Sequence, residues 1–123
     1  MAYQSFEELE VWKRACRLAV EVSQSLADCR SYFIRDQMQR AALSIPSNIA
    51  EGAERDSPLD YIRFLRIAKG SAAELRTQCY IAARLNILPH DLTVQFTTEC
   101  KEIAAMLQGL IRSLAARRRQ LET

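Results

Sequence analysis

The side chains suited to bond breaking are few and scattered. One histidine, His90, follows Pro89 in a turn, and no nucleophile or substrate-positioning group is spaced to serve it. Four cysteines, Cys16, Cys29, Cys79 and Cys100, stand far apart without a C-x-x-C pair. That spacing reads as reduced, buried or half-buried thiols rather than a disulfide framework or a metal site. A Glu-x-x-His pair, a phosphate loop and a dinucleotide fingerprint are all absent. The serines and cysteines lack triad partners. An enzyme, a cofactor and a bound metal are therefore not expected.

Positive charge is more telling. Lys13, Arg14 and Arg17 cluster early; Arg63, Arg66, Lys69 and Arg76 follow later, with Arg84 near their sector. Arg112 and Arg117 to Arg119 make the far end basic. The steps from Arg66 to Lys69 to Arg76 keep three cations within one sector of a helical wheel. Net charge is only +2, so location matters more than total. Such a stripe is either a solvated face or a row that meets phosphate oxygens. Arg14, Arg17, Arg66, Lys69 and Arg76 are the candidate contacts to RNA or DNA. Nothing resembles a recognition helix or an aromatic RNA-reading sheet, so backbone phosphates are the expected target.

The elements that must carry these cations are helices. The 123 residues are 49 % apolar, with three glycines and three prolines, which suits one all-α domain able to bury a core without staples. The spacings predict four helices, at about 6–27, 32–54, 58–85 and 91–116, in an antiparallel up-down-up-down bundle. Ser5 with Glu8 predicts a capping box at the first start. Leu9, Trp12, Cys16, Ala19, Ser23 and Leu26 form one stripe, and Val11, Ala15, Leu18 and Val22 a second beside it. Trp12 is read as a core anchor, with an aromatic plug at a subunit contact as the alternative.

The second helix holds Pro46 within a stripe of Met38, Ala41, Ile45 and Ile49. Proline lacks an N–H and crowds the carbonyl of Ala42, so the segment either breaks near Ser44 or runs on as one kinked helix. The unbroken phase of the stripe favours the kinked helix. Arg40 is expected at the surface. Asn48 is expected to cap backbone freed by Pro46, with a place on a surface used for assembly or binding as the alternative, and Glu51 is expected to pair with Arg55 one turn on. Gly52 permits close backbone approach or a helix end. Ser57, Pro58 and Asp60 give the third helix its N-cap signature. Gly70 and Ser71 lie among small residues inside it. An interior glycine costs about 1 kcal/mol of propensity, so Gly70 is expected to have a packing reason, with the Trp12 region as the bulky neighbour. The basic tail beyond the fourth helix is expected to fray.

Ile45 to Gly52, followed by Arg55, resembles the signature of the S23-like proteins, helical bundles encoded in intervening sequences of 23S ribosomal RNA genes. Phe6, Leu9, Val11, Trp12 and Ala15 resemble that family's opening helix. Phe64, Leu65, Ile67, Ala68, Gly70, Ser71, Glu74 and Leu75 resemble its third-helix block. The likeness spans roughly residues 6–114. It implies a four-helix bundle that assembles as a ring-shaped pentamer. The fold is also similar to the accessory variability determinant of diversity-generating retroelements.

Apolar residues on the first and fourth helices exceed what one inward stripe needs, so self-association is expected. A ring would multiply a modest basic stripe into strong, salt-dependent binding. The expectation is a non-enzymatic homo-oligomer, with five copies favoured by the resemblance, that binds RNA or DNA. The alternative is a structural adaptor that organises a protein partner. No membrane-spanning run and no leader-like segment stand out, so a cytoplasmic location is expected.

Overall fold

Ser57 has extended backbone, and its hydroxyl accepts the Asp60 amide at 3.1 Å while Pro58 takes the first helical position. Proline loses nothing there, because that amide has no partner in any helix. An apolar period that runs from Ile62 to Ala82 follows this cap. In the computed structural model, which describes residues 5–122, it becomes α3, Pro58–Arg84. The other helices are α1 (Glu10–Ser25), α2 (Tyr32–Ala53) and α4 (His90–Glu122), and no strand occurs among the described residues.

Two boundaries differ markedly from the sequence expectation. Ser5 caps a 3-10 turn, Phe6–Glu8, by accepting the Glu7 amide, so the Ser5–Glu8 capping box does not form. Leu9 then sits in extended conformation, and α1 starts only at Glu10 without a side-chain cap. α4 does not stop near 116; it runs through the three arginines to Glu122, where expected fraying gives way to helix.

α2 continues unbroken through Pro46, which is buried. The in-phase stripe supplies the reason: Met38, Ala41, Ile45 and Ile49 all lie inside, and breaking the helix would turn half of them outward. α3 ends differently. Asn86 takes a left-handed φ of 58°, the Ile87 amide reaches back to the Ala82 carbonyl at 2.8 Å, and the Asn86 amide reaches Ala83 at 3.1 Å. This is a Schellman cap with asparagine, one of the few side chains that tolerate that backbone.

Cross-helix bonds give the topology. Ser44 meets Ser71, and Gly52 lies against Phe64, so α2 and α3 run antiparallel. Lys69 meets Gln108, setting α4 beside α3, and Arg14 and Glu21 meet Glu102 and Gln95, closing α1 onto α4. Each helix therefore packs on two neighbours. α1 and α3 occupy diagonal corners without close backbone approach, as do α2 and α4. The α2–α3 and α3–α4 seams are extensive and the α1–α4 seam is thin.

The core comes from the expected periods, with one shift of emphasis. Val11, Ala15, Leu18 and Val22 are the buried stripe of α1, while Leu9, Trp12 and Ala19 are half-buried beside it. Trp12 stacks edge-on against Phe6 at 5.3 Å. The surplus apolar surface does not lie mainly on the first and fourth helices. Tyr32, Phe33 and Leu43 of α2, and Leu59, Ile67, Tyr80 and Ile81 of α3, make up most of it. The expected packing of Trp12 on the small middle of the third helix is not realised, because α1 and α3 are diagonal. Gly70 faces outward, with nothing within 4 Å of where a Cβ would stand.

Candidate nucleic-acid interface

Two flanks of α4 carry opposite charge, and helix pairing explains it. Glu99 and Glu102, three apart, project toward α1 and hold Arg14. The guanidinium donates from Nε to Glu99 Oε2 at 2.9 Å, from Nη2 to the other Glu99 oxygen, and from Nη2 to Glu102 at 2.6 Å. These bonds hold the Arg14 proton well above the usual arginine range. On the other flank, Gln108 accepts from the Lys69 ammonium of α3 at 2.7 Å. Lys101 lies seven residues before Gln108 and Arg112 four after it, so both follow the α3 side of α4. Both are exposed.

α3 supplies the matching row. Arg66 is exposed, Lys69 and Arg76 are half-buried along the α4 seam, and Arg84 is exposed one turn past Tyr80. Among the described residues no carboxylate lies within ion-pair distance of Arg66, Lys69, Arg76, Arg84, Lys101 or Arg112. Asp60 pairs with Arg63, and Glu21 accepts from Gln95, so neither neutralises the row.

The five cations singled out from the sequence thus divide. Arg66, Lys69 and Arg76 share the α3–α4 face. Arg14 and Arg17 lie on α1, on the diagonal helix. Arg14 is committed to two glutamates and acts as a structural tie. Arg17 is exposed beside a shallow cleft in the α1–α4 seam that Glu21, Glu99, Leu18 and Phe96 also line. Sequence reasoning missed Lys101 and Arg112 as members of the face. Their spacing from Gln108 was visible, but the partner of Gln108 on α3 was not.

The residues of the family-like signature gather on the α2–α3 seam. Asn48 donates to the Ser44 carbonyl at 2.8 Å and to its hydroxyl at 2.9 Å, and that hydroxyl lies 2.8 Å from Ser71 Oγ. Asn48 therefore serves Ser44 and not the Ala42 carbonyl that Pro46 leaves without its in-helix donor. Gly52 is buried where a Cβ would come within 2.7 Å of Phe64 Cβ, which makes close approach its reason. Arg55 lies 3.4 Å from Glu51 and stacks 4.8 Å above the Phe64 ring. These contacts order the α2–α3 corner and leave Arg40 exposed.

Catalytic geometry does not assemble around the thiols or His90. The cysteines are free, and burial pushes the Cys79 and Cys100 thiols up to about 12, away from nucleophilic reactivity. No group of three histidine, cysteine or carboxylate side chains among the described residues could hold a metal ion. No described helix is long and apolar enough to cross a membrane.

Comparison with known proteins fits this architecture. A crystal structure of a protein of unknown function from the S23 ribosomal protein family of Bacteroides thetaiotaomicron superposes with a TM-score of 0.77. The two are 23 % identical over 82 % of this chain and 97 % of that one, a likeness of fold. No curated protein matches. Residues 7–109, from the 3-10 turn through most of α4, match the family described as 23S rRNA-intervening sequence protein, and the chain belongs to that family.

Proposed function

We propose that this protein is a non-enzymatic, self-associating helical bundle, with five copies in the ring, that binds RNA or DNA through the α3–α4 face. The observation that carries this reading is the segregation of charge on α4. Its two mid-helix carboxylates, Glu99 and Glu102, are spent on Arg14, while Lys69, Arg76, Arg66 and Arg84 of α3 join Lys101 and Arg112 without an acidic partner among the described residues. Cations without carboxylate partners on one face attract phosphates through counterion release, whatever the base sequence. Arg17 adds charge on a separate face; Arg14 drops out of the proposed contacts. The exposed apolar side chains of α2 and α3, with Phe33 at 75 % the most open of them, support self-association. The family description, which points to an rRNA-gene setting, favours RNA.

Filter binding against single-stranded RNA, structured RNA and duplex DNA at two salt concentrations tests the reading. Three phosphate contacts from a single copy give a slope of about −2.7 of log affinity against log salt on duplex, and a ring that engages several copies multiplies it. Replacing Arg66, Lys69 and Arg76 with alanine should weaken every nucleic acid about equally and flatten that slope. Negligible, salt-independent binding by the wild type would overturn the proposal. Light scattering reports the copy number, and a chain that stays single at high concentration removes the ring.

A further inference from the structure

Among the described residues the α3–α4 face contains one exposed aromatic ring, and none of them uses it. Tyr80 is 48 % exposed, its hydroxyl has no hydrogen bond, and its ring has no aromatic or cationic partner among the described residues. The comparably exposed Tyr32 differs, because Arg35 covers its ring at 4.7 Å. Arg76 lies four residues before Tyr80 and Arg84 four after, so all three share one flank of α3. At about 1.5 Å rise per residue the arginine backbones are about 12 Å apart, with the ring midway between them.

We propose that Tyr80 is a stacking platform for an unpaired base, with Arg76 and Arg84 holding phosphates on either side, so that the face selects single-stranded nucleic acid. The inference rests on the nucleic-acid reading above and adds which form is taken. Charge names the occupant. An apolar protein surface would favour exposed side chains such as Phe33, Leu43, Ile67 and Ile81, whereas Tyr80 is bracketed by two cations without carboxylate partners among the described residues. An aromatic ring between cations is the arrangement that grips a single strand, since each base offers a flat face and each linkage an anion. In a duplex those flat faces are already covered by neighbouring bases.

Fluorescence anisotropy with labelled single-stranded RNA, single-stranded DNA and a blunt duplex of equal length, at low salt, tests this. Tyr80→Ala should weaken single-strand binding about five- to hundredfold and leave duplex binding within about twofold. Tyr80→Phe should retain the single-strand affinity. The two single-strand arms show whether the 2′-hydroxyl contributes. The inference is overturned if Tyr80→Ala leaves single-strand binding intact, or weakens strand and duplex alike. Wild type that takes only duplex also overturns it while the phosphate-binding reading stands; wild type that takes neither overturns both. Tyr80 is at the surface, and circular dichroism confirms that each variant keeps its helices.

Discussion

Two glycines on adjacent helices should respond to alanine with opposite signs. At Gly52 the added methyl would stand 2.7 Å from Phe64 Cβ, 3.1 Å from Tyr61 Cδ1 and 3.2 Å from the Tyr61 carbonyl oxygen. The nearest atom and the carbonyl are fixed to the α3 backbone, so relief requires α2 and α3 to part by several tenths of an ångström. Overpacking of this kind costs about 1–3 kcal/mol, and rigid neighbours place Gly52 toward the upper end. Alanine's better helix propensity returns about 1 kcal/mol, for a net loss of about 1–2 kcal/mol. At Gly70 the same methyl meets nothing within 4 Å, so only the propensity gain remains, about 0.5–1 kcal/mol of stabilisation in the single chain. For a chain of this size 1 kcal/mol moves the Tm by about 3–6 °C. Urea and thermal unfolding at fixed protein concentration measure both. The reasoning fails if Gly52→Ala is as stable as Gly70→Ala. A lowered copy number in Gly70→Ala would instead place that open site at a contact between copies.

Other outcomes follow from the same contacts. Arg14→Gln should destabilise the fold by about 1–3 kcal/mol, because it leaves Glu99 and Glu102 without their cation; denaturant titration showing no change would refute the tie. The thiols of Cys79 and Cys100 titrate near 12 when folded and near the ordinary 9.0 when unfolded, so the unfolded chain sheds these protons first. Stability is thus full below about pH 9 and falls as pH climbs toward 12, and Cys79→Ala with Cys100→Ala should lessen that alkaline loss. A thiol reagent at neutral pH should spare Cys79 and Cys100 until denaturant is added; rapid labelling of all four cysteines would contradict their burial. Asn48→Ala should cost about 1 kcal/mol, and a double-mutant cycle with Ser71→Ala should show coupling through Ser44.

Local chemistry was legible in the sequence wherever neighbours along the chain decide the outcome. Ser57, Pro58 and Asp60 announced the α3 start, and the unbroken phase around Pro46 announced a continuous α2. Ser5 misled because its capping box assumes that helix follows at once, whereas extended Leu9 intervenes. Long-range partners were not legible. Arg14 and Glu99 are 85 residues apart, and no spacing rule says which of many arginines a distant glutamate will meet. Gly70 was misjudged for a related reason: helical phase tells which residues share a face, but not which corner of the square each helix occupies. The basic face was half legible, since Arg66, Lys69 and Arg76 share a sector by count alone. Lys101 and Arg112 joined them only when Gln108 settled against Lys69.

The joint between the first and last helices has its own consequence. It is thin and is fastened at the rim by Arg14 with its two glutamates and by the Gln95–Glu21 bond, over Leu18 and Phe96. Bonds of this type weaken in concentrated salt or strong acid, whereas the greasy seams of α3 tighten or hold. The bundle therefore has a grain. In concentrated salt or strong acid it should part first along the α1–α4 edge, while α1 keeps its hold on α2 and the seams of α3 stay shut.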